Sequence, residues 1–134
     1  MQLGYTILYV EDVIATVEFY EAAFGLNRKF IHESQLYAEM ETGTTVLAFA
    51  GNPMAEFNDI AIRPNTLGEL PAGFEIAFVT DQPEAKFKTA VEAGAVAVKV
   101  PTAQPWGQVV GYVRDLNGCL VEIASPVAPK PADT

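Results

Sequence analysis

The spacing of apolar residues predicts a strand, a helix and three further strands in the first 50 residues. The opening stretch LGYTILYV is rich in β-forming residues, and Asp12 follows it as a plausible N-cap of a helix that Gly25 would end. Apolar side chains between these two residues recur at helical spacing: Val13, Val17, Tyr20 and Phe24. Three strands are then predicted by RKFIHE, LYAEME and TTVLAFA.

Residues 51–71 interrupt this pattern with three prolines and three asparagines, and we expect an irregular linker there. An edge strand over residues 58–63 is the alternative. The last residues, 127–134, are rich in proline, and we expect a frayed tail.

The order of elements then begins again. GFEIAFVTD predicts a strand, and Asp81 and Glu84 have the spacing of a capping box for a second helix with Pro83 in its first turn. AVAVKV, QVVGYVRD and CLVEIAS predict three more strands, with a turn at Asn117-Gly118. The stretches LGYTILYVED and AGFEIAFVTD match at four of ten positions with an offset of 69, which favours an internal duplication.

Composition narrows the class of protein. A chain of 134 residues that is 50% hydrophobic suits one compact domain. No apolar stretch approaches the ~20 residues of a membrane span, and the start lacks a basic leader, so we expect a cytoplasmic protein with no membrane contact. The net charge of −9 argues against nucleic-acid binding. The single Cys119 excludes an intramolecular disulfide, and we expect a small core residue there.

Three stretches carry a resemblance to a known family: YTILYVEDVIATVEFYEAAFGL, AGFEIAFVTD and VRDLNGCLVEIASP. Over about residues 3–126 the chain resembles the vicinal oxygen chelate superfamily, which includes glyoxalase I, extradiol dioxygenases, fosfomycin-resistance enzymes and bleomycin-resistance binding proteins. The third stretch is similar to the signature DPxG-x-x-x-E, with Leu116 in place of proline and Asn117 in the variable slot.

The resemblance implies an α+β fold in which two βαβββ modules form a cupped mixed β-sheet with helices outside. Module 1 would span about residues 1–50 and module 2 about residues 72–126 of a single domain, joined by the linker 51–71. It also implies a homodimer with its cavities near the module or subunit interface.

Metal-dependent members of the family take a ligand from each of four strands. The resemblance places these positions at Tyr5, Ala48, Glu75 and Glu122, and only Glu122 is the usual residue type. The chain's one histidine, His32, cannot form a His pair within a subunit, which argues against a strong transition-metal site. We therefore expect no cofactor and no tightly bound metal, although a weak Mg²⁺ or Mn²⁺ site on the two glutamates is an alternative.

Two registers are consistent with the strand that carries Glu75, and we favour the one that the family motif gives. The internal repeat pairs Tyr5 with Phe74, whereas the family motif pairs Tyr5 with Glu75. A slip of one residue turns the side chains of a strand to its other face, so the two registers predict opposite directions for Glu75.

In the family register the cup is apolar and partly aromatic, and it contains the carboxylates of Glu75 and Glu122. Side chains two apart share a strand face, which groups Tyr5 with Ile7 and Tyr9. Ligand-binding candidates are Tyr9, Ile7, Tyr37, Phe49 and Trp106. For Tyr37 and Phe49 a core position is the more conservative interpretation. For Trp106 a pocket lid and a dimer contact are equally favoured, and core packing is a third alternative. For His32 a surface position at a strand end is favoured over a general base.

Two functions remain open. One is a non-catalytic protein that binds a small organic molecule in an acidic, aromatic cavity, as the bleomycin-resistance group does. The other is a glyoxalase-like lyase or isomerase in which Glu75 or Glu122 is the general base and Tyr5 donates a proton.

Overall fold

A computed structural model describes residues 1–127, and most of the predicted tail, residues 128–134, lies outside them. The first module comprises β1 (Tyr5–Val10), α1 (Val13–Phe24), β2 (Arg28–Ile31), β3 (Tyr37–Met40) and β4 (Val46–Gly51). A short helix, α2 (Pro53–Phe57), follows it. The second module comprises β5 (Glu75–Val79), α3 (Pro83–Glu92), β6 (Val96–Ala103), β7 (Val109–Arg114) and β8 (Leu120–Ala124).

Each module forms a four-stranded mixed sheet with the same topology. Sheet 1 has the strand order β1-β4-β3-β2, and sheet 2 has the order β5-β8-β7-β6. In both sheets the first strand pairs in parallel with the last, and the other neighbours are antiparallel. The predicted α+β fold with two βαβββ modules and outside helices is therefore confirmed. Within residues 1–127 the two sheets remain separate hydrogen-bonded units.

The two long helices begin differently. In α1 the Asp12 carboxylate accepts a hydrogen bond of 2.9 Å from the Ala15 amide, and Gly25 ends the helix at a φ of 68°, as predicted. The capping box predicted for α3 is wrong. Pro83 takes the first helical position, so the cap position falls on Gln82, which makes no side-chain cap hydrogen bond. Asp81 is therefore not the cap residue, and Glu84 follows the cap by two positions, whereas a capping box needs three.

The linker is more ordered than predicted, since it contains α2, and the alternative edge strand over residues 58–63 is wrong. The chain turns at the end of α2, where the Asn58 amide donates to the Met54 carbonyl and the Ile60 amide donates to the Ala55 carbonyl. Asp59 adopts a φ of 57°, which is incompatible with an extended strand.

Helix α1 packs against both sheets. The Tyr20 ring lies 4.8 Å from the Phe49 ring of sheet 1 and 6.5 Å from the Phe78 ring of sheet 2. Helices α1 and α3 are also in contact. Cys119 is buried in this core, as expected, and burial, followed by the charge of Asp115, raises the pKa of its thiol to about 12.

The buried carboxylate of Asp115 fixes the second module to α1. Tyr20 donates its hydroxyl hydrogen to one oxygen of Asp115, and the amides of Asn117 and Cys119 donate to the other at 2.8 and 2.9 Å. The Asn117 side chain in turn donates to the Thr16 hydroxyl at 3.1 Å. Burial raises the pKa of Asp115, and the hydrogen bonds from Tyr20 and the backbone partly oppose that shift.

None of the helices in residues 1–127 has the length and the apolar character that crossing a membrane would require.

We predict that Tyr20→Phe lowers the free energy of unfolding at pH 7.5 by about 1–3 kcal/mol, because it leaves a buried carboxylate oxygen without its donor. The variant raises the folded-state pKa of Asp115 further above its unfolded value. When the pKa of a carboxyl group is higher in the folded than in the unfolded state, the protein loses stability as the pH rises between those two pKa values. The stability difference between Tyr20→Phe and the wild type should therefore shrink as the pH falls towards 5.5.

Urea denaturation at both pH values measures this effect, with Tyr9→Phe as the matched control. A Tyr20→Phe protein as stable as the control at pH 7.5 would show that the hydrogen bond to Asp115 does not hold the modules together.

Candidate functional site

Each sheet has an outer face, which we define as the face turned away from its helix. On β1 the outer side chains Tyr5 and Ile7 are 56% and 46% exposed, whereas Leu8 is 1% exposed. On β5 the outward side chains are Glu75, Ala77 and Val79, while Ile76 and Phe78 pack against the core. Glu75 therefore lies on the outer face of sheet 2 at the position that Tyr5 has in sheet 1, which corresponds to the family register.

The outer face of sheet 2 brings Glu75, Glu122 and Tyr112 together. In the parallel β5–β8 register Glu75 lies opposite Leu120, two residues before Glu122, so the two glutamates are diagonal neighbours on one face. Tyr112 lies directly opposite Glu122 on β7, and its hydroxyl donates to Glu122 Oε1 at 3.0 Å.

The charges of this cluster depend on one another. Burial raises the pKa of Glu75, and so do a hydrogen bond to Glu122 and the negative charge of Glu122. The negative charge of Glu122 and the hydrogen bond both favour the protonated form of Glu75, which therefore keeps its proton more readily than an isolated glutamate does. Burial and the bond to Glu122 raise the pKa of Tyr112 to about 12, which keeps the phenol a donor at neutral pH.

The outer face of sheet 1 has a similar pair. The Tyr37 hydroxyl donates to Glu39 Oε2 at 2.7 Å, and Lys29 Nζ lies 3.7 Å from Glu39 Oε1. Burial and the bond to Glu39 raise the pKa of Tyr37, and Tyr5 is close enough to contribute to the shift. The structure thus groups Tyr5 with Tyr37 and Glu39, while Glu75 and Glu122 lie on the other sheet.

The remaining candidates occupy different environments. Ile7 and Tyr9 lie on the outer face of β1, Ile7 exposed and Tyr9 half-buried. Trp106 is 61% exposed in the loop between β6 and β7, where its indole N–H donates to Gln108 Oε1 at 2.6 Å. His32 is an exposed turn residue whose Nδ1 lies 2.8 Å from the Ser34 hydroxyl.

The structure removes Phe49 from the ligand-binding candidates. It is 0% exposed and packs against Tyr20 on the helix side of sheet 1. The residue before it, Ala48, faces the outer side, and side chains alternate along a strand.

A groove of about 420 Å³ lies between the strands β1 and β4 of one sheet and the strand β5 of the other. Its walls are apolar residues and threonines, and Glu75 is the one charged residue among them. Glu75 therefore lines this groove and is also one of the two glutamates that form the carboxyl pair on the outer face.

The four positions that the resemblance assigns to metal ligands do not supply the donors that a transition metal prefers. They supply two carboxylates, one phenol and the methyl group of Ala48, whereas such metals prefer nitrogen and sulfur donors. Tyr5 lies on sheet 1, whereas the Glu75–Glu122 pair lies on sheet 2. In the described part of the chain no three His, Cys, Asp or Glu side chains converge closely enough to hold a metal ion.

The fold and these two outer faces define a protein of the paired βαβββ class. The model of the glyoxalase/bleomycin resistance protein/dioxygenase superfamily matches residues 2–123, and the chain belongs to that superfamily.

Solved structures of the same fold are similar over nearly the whole chain. A glyoxalase-related enzyme from Fulvimarina pelagi is 25% identical, with a TM-score of 0.81 over 99% of this chain and 94% of that one. A glyoxalase/bleomycin resistance protein/dioxygenase family enzyme from Burkholderia phytofirmans PsJN is 20% identical, with a TM-score of 0.78 over 96% and 100%. TioX from Micromonospora sp. ML1 is 20% identical, with a TM-score of 0.69 over 93% and 98%. No curated protein matches the sequence.

Tyr112 and Glu39 are site residues that the sequence analysis missed. Glu39 lies two residues after Tyr37 in LYAEME, so strand alternation alone groups the two on one face. Tyr112 can be identified as a neighbour of Glu122 only when the register of the β7–β8 hairpin is known. The β7–β8 turn runs from Asp115 to Cys119, and a two-residue turn at Asn117-Gly118 would have placed Tyr112 opposite Ile123 instead.

Proposed function

We propose that this protein binds a small, planar organic cation between outer faces that carry tyrosines and carboxylates. The observation that supports this most strongly is the pair of neighbouring glutamates, Glu75 and Glu122, with the Tyr112 hydroxyl bound to one of them. A cation beside the pair would offset the repulsion between the two carboxylates.

The aromatic side chains favour a planar ligand. Tyr5, Tyr9 and Tyr37 lie on the outer face of sheet 1, where a flat cationic group can stack on an aromatic ring. The net charge of −9 adds a favourable long-range field for a cation.

Benzamidine is a suitable probe because it is a planar cation, and benzamide is its uncharged analogue. We expect thermal-shift and calorimetric measurements to show binding of benzamidine in preference to benzamide. Glu122→Gln should weaken benzamidine binding about ten- to hundredfold, because it removes a charge-assisted contact and leaves the shape unchanged.

Glu92→Gln, on the exposed surface of α3, makes the same change of charge and serves as the control. If Glu122→Gln and Glu92→Gln affect benzamidine binding equally, the pair is not the binding site. Every probe that binds is also assayed for turnover, which separates a binding protein from an enzyme.

The site in this proposal does not depend on a transition metal. Elemental analysis of the protein purified with and without added Mn²⁺ or Ni²⁺ should find less than stoichiometric metal. A tightly held, stoichiometric transition metal would contradict this part of the proposal, whereas weak Mg²⁺ or Mn²⁺ binding that Glu122→Gln abolishes would support the oxygen-donor alternative.

The proposed binding protein is a homodimer in which the outer faces of two copies face one another across the ligand. In a single chain these faces expose apolar side chains, with Ile7 46% and Val79 64% accessible. Sedimentation should give twice the chain mass of 14.5 kDa for the native protein. Ile7→Glu should shift the mass towards the monomer, whereas Leu70→Glu, which is 87% exposed in the linker, should not. A monomeric native protein would overturn this arrangement.

The raised pKa of Glu75 favours a second candidate, a glyoxalase-like lyase or isomerase. Two neighbouring carboxyl groups can divide the roles of general acid and general base between them. In such an enzyme Glu75→Gln and Glu122→Gln would each abolish turnover of a probe that still binds.

A further inference from the structure

A second pocket, of about 230 Å³, lies where helices α1 and α3 meet the strands β5 and β8. Phe78 of β5 and Ile123 of β8 are neighbours on the helix side of sheet 2, and both line this pocket. The Glu75–Glu122 pair lies on the opposite side of the same sheet. The pocket is therefore separate from the site proposed for the cation.

The walls of this pocket are apolar surface that the protein itself does not fully cover. Phe24, Leu26 and Phe78 pack against the core but remain partly exposed, and the rings of Phe24 and Phe78 lie 5.1 Å apart. Apolar surface that a ligand removes from water contributes favourably to binding. Cavities for drug-sized ligands have volumes of about 300–1,000 Å³, so this smaller pocket suits a molecule with a short apolar body.

The two polar side chains that line the pocket, Thr80 and Lys86, can both donate hydrogen bonds. The Thr80 hydroxyl accepts a hydrogen bond of 3.2 Å from the Gln82 amide, which leaves its O–H as a donor. Lys86 takes part in none of the ion pairs within residues 1–127. The nearby acids Asp81 and Glu84 are not among the lining residues. Two donors, one of them charged, and no acidic group favour an anion.

Lys86 is suited to the mouth of an apolar pocket. It is exposed in the first turn of α3, and a lysine stem can cover apolar surface while its ammonium group stays in water. Gln82 makes no side-chain cap hydrogen bond, so the positive end of the helix dipole adds to the charge of Lys86. The net charge of −9 opposes an anion at long range, so the affinity has to come from the apolar walls and these local donors.

We propose that this pocket binds a short- to medium-chain alkyl carboxylate, with its chain against Phe24, Leu26 and Phe78 and its carboxylate at Lys86 and Thr80. The site goes beyond the proposed cation-binding function and does not depend on it. The pocket shares Leu26 and Phe78 with the groove between the two sheets, so a longer alkyl chain can extend from one cavity towards the other.

Calorimetry with hexanoate and its uncharged analogue hexanamide tests the charge, at an ionic strength of about 0.15 M that screens distant groups. Hexanoate should bind in preference to hexanamide. Lys86→Met keeps an apolar stem and removes the charge, so it should weaken hexanoate binding about three- to tenfold and leave hexanamide binding unchanged. Lys88→Met makes the same change of charge two residues further along α3, at an 80% exposed side chain, and should alter neither affinity.

A series of carboxylates from butanoate to octanoate tests the apolar walls. The affinity should rise about two- to fourfold for each added CH₂ group, because each one removes further apolar surface from water.

Loss of hexanoate affinity in Lys86→Met alone, together with the rise with chain length, supports the proposal. Equal binding of hexanoate and hexanamide, equal effects of Lys86→Met and Lys88→Met, or an affinity independent of chain length would each overturn it. Neither probe is a cation, so these results do not depend on whether benzamidine binds, and the failure of one proposal is distinguishable from the failure of the other.

Discussion

The buried carboxylate of Asp115 is the constraint on which the arrangement of the two modules depends. It accepts hydrogen bonds from Tyr20 of α1 and from two amides of its own turn, so a side chain that would be costly to bury alone is fully partnered. Because the donor from α1 belongs to the first module and the turn belongs to the second, the same contact closes the β7–β8 hairpin and positions it against α1. The apolar inner faces of both sheets can then share one core around Tyr20.

The packing of both inner faces on this core leaves the outer faces free for polar chemistry. Each outer face has a tyrosine bound to a glutamate, Tyr112 with Glu122 and Tyr37 with Glu39, but the two pairs are built on different strands. In sheet 2 the tyrosine reaches across from the adjacent strand, whereas in sheet 1 tyrosine and glutamate are two residues apart on the same strand. The two modules therefore share a topology and differ in the chemistry of their outer faces, as expected when function depends on sites rather than on the fold.

Much of the fold could be predicted from the sequence because its strands and helices carry local signals. The Asp12 cap, the Gly25 stop and the alternation in LYAEME are such signals. The direction of Glu75 could not be predicted, since two registers one residue apart were both consistent with the sequence, and only packing of Ile76 and Phe78 on the core decides between them. Tyr112 was missed because the length of the Asp115–Cys119 turn depends on hydrogen bonds to a buried side chain. Of the two interpretations of Phe49, the core position is correct and the ligand-binding position is not, because α1 covers the face of β4 on which Phe49 lies.

The central claim is that the outer faces of the two sheets bind the ligand. Amide chemical shifts of the ¹⁵N-labelled protein titrated with benzamidine test it most directly. We predict that saturable shifts concentrate around Glu75, Tyr112 and Glu122 of sheet 2 and around Tyr5 and Tyr37 of sheet 1. Shifts confined to Thr42–Leu47 and Phe78, in the groove between the sheets, or to residues 52–64 around α2, would contradict the account.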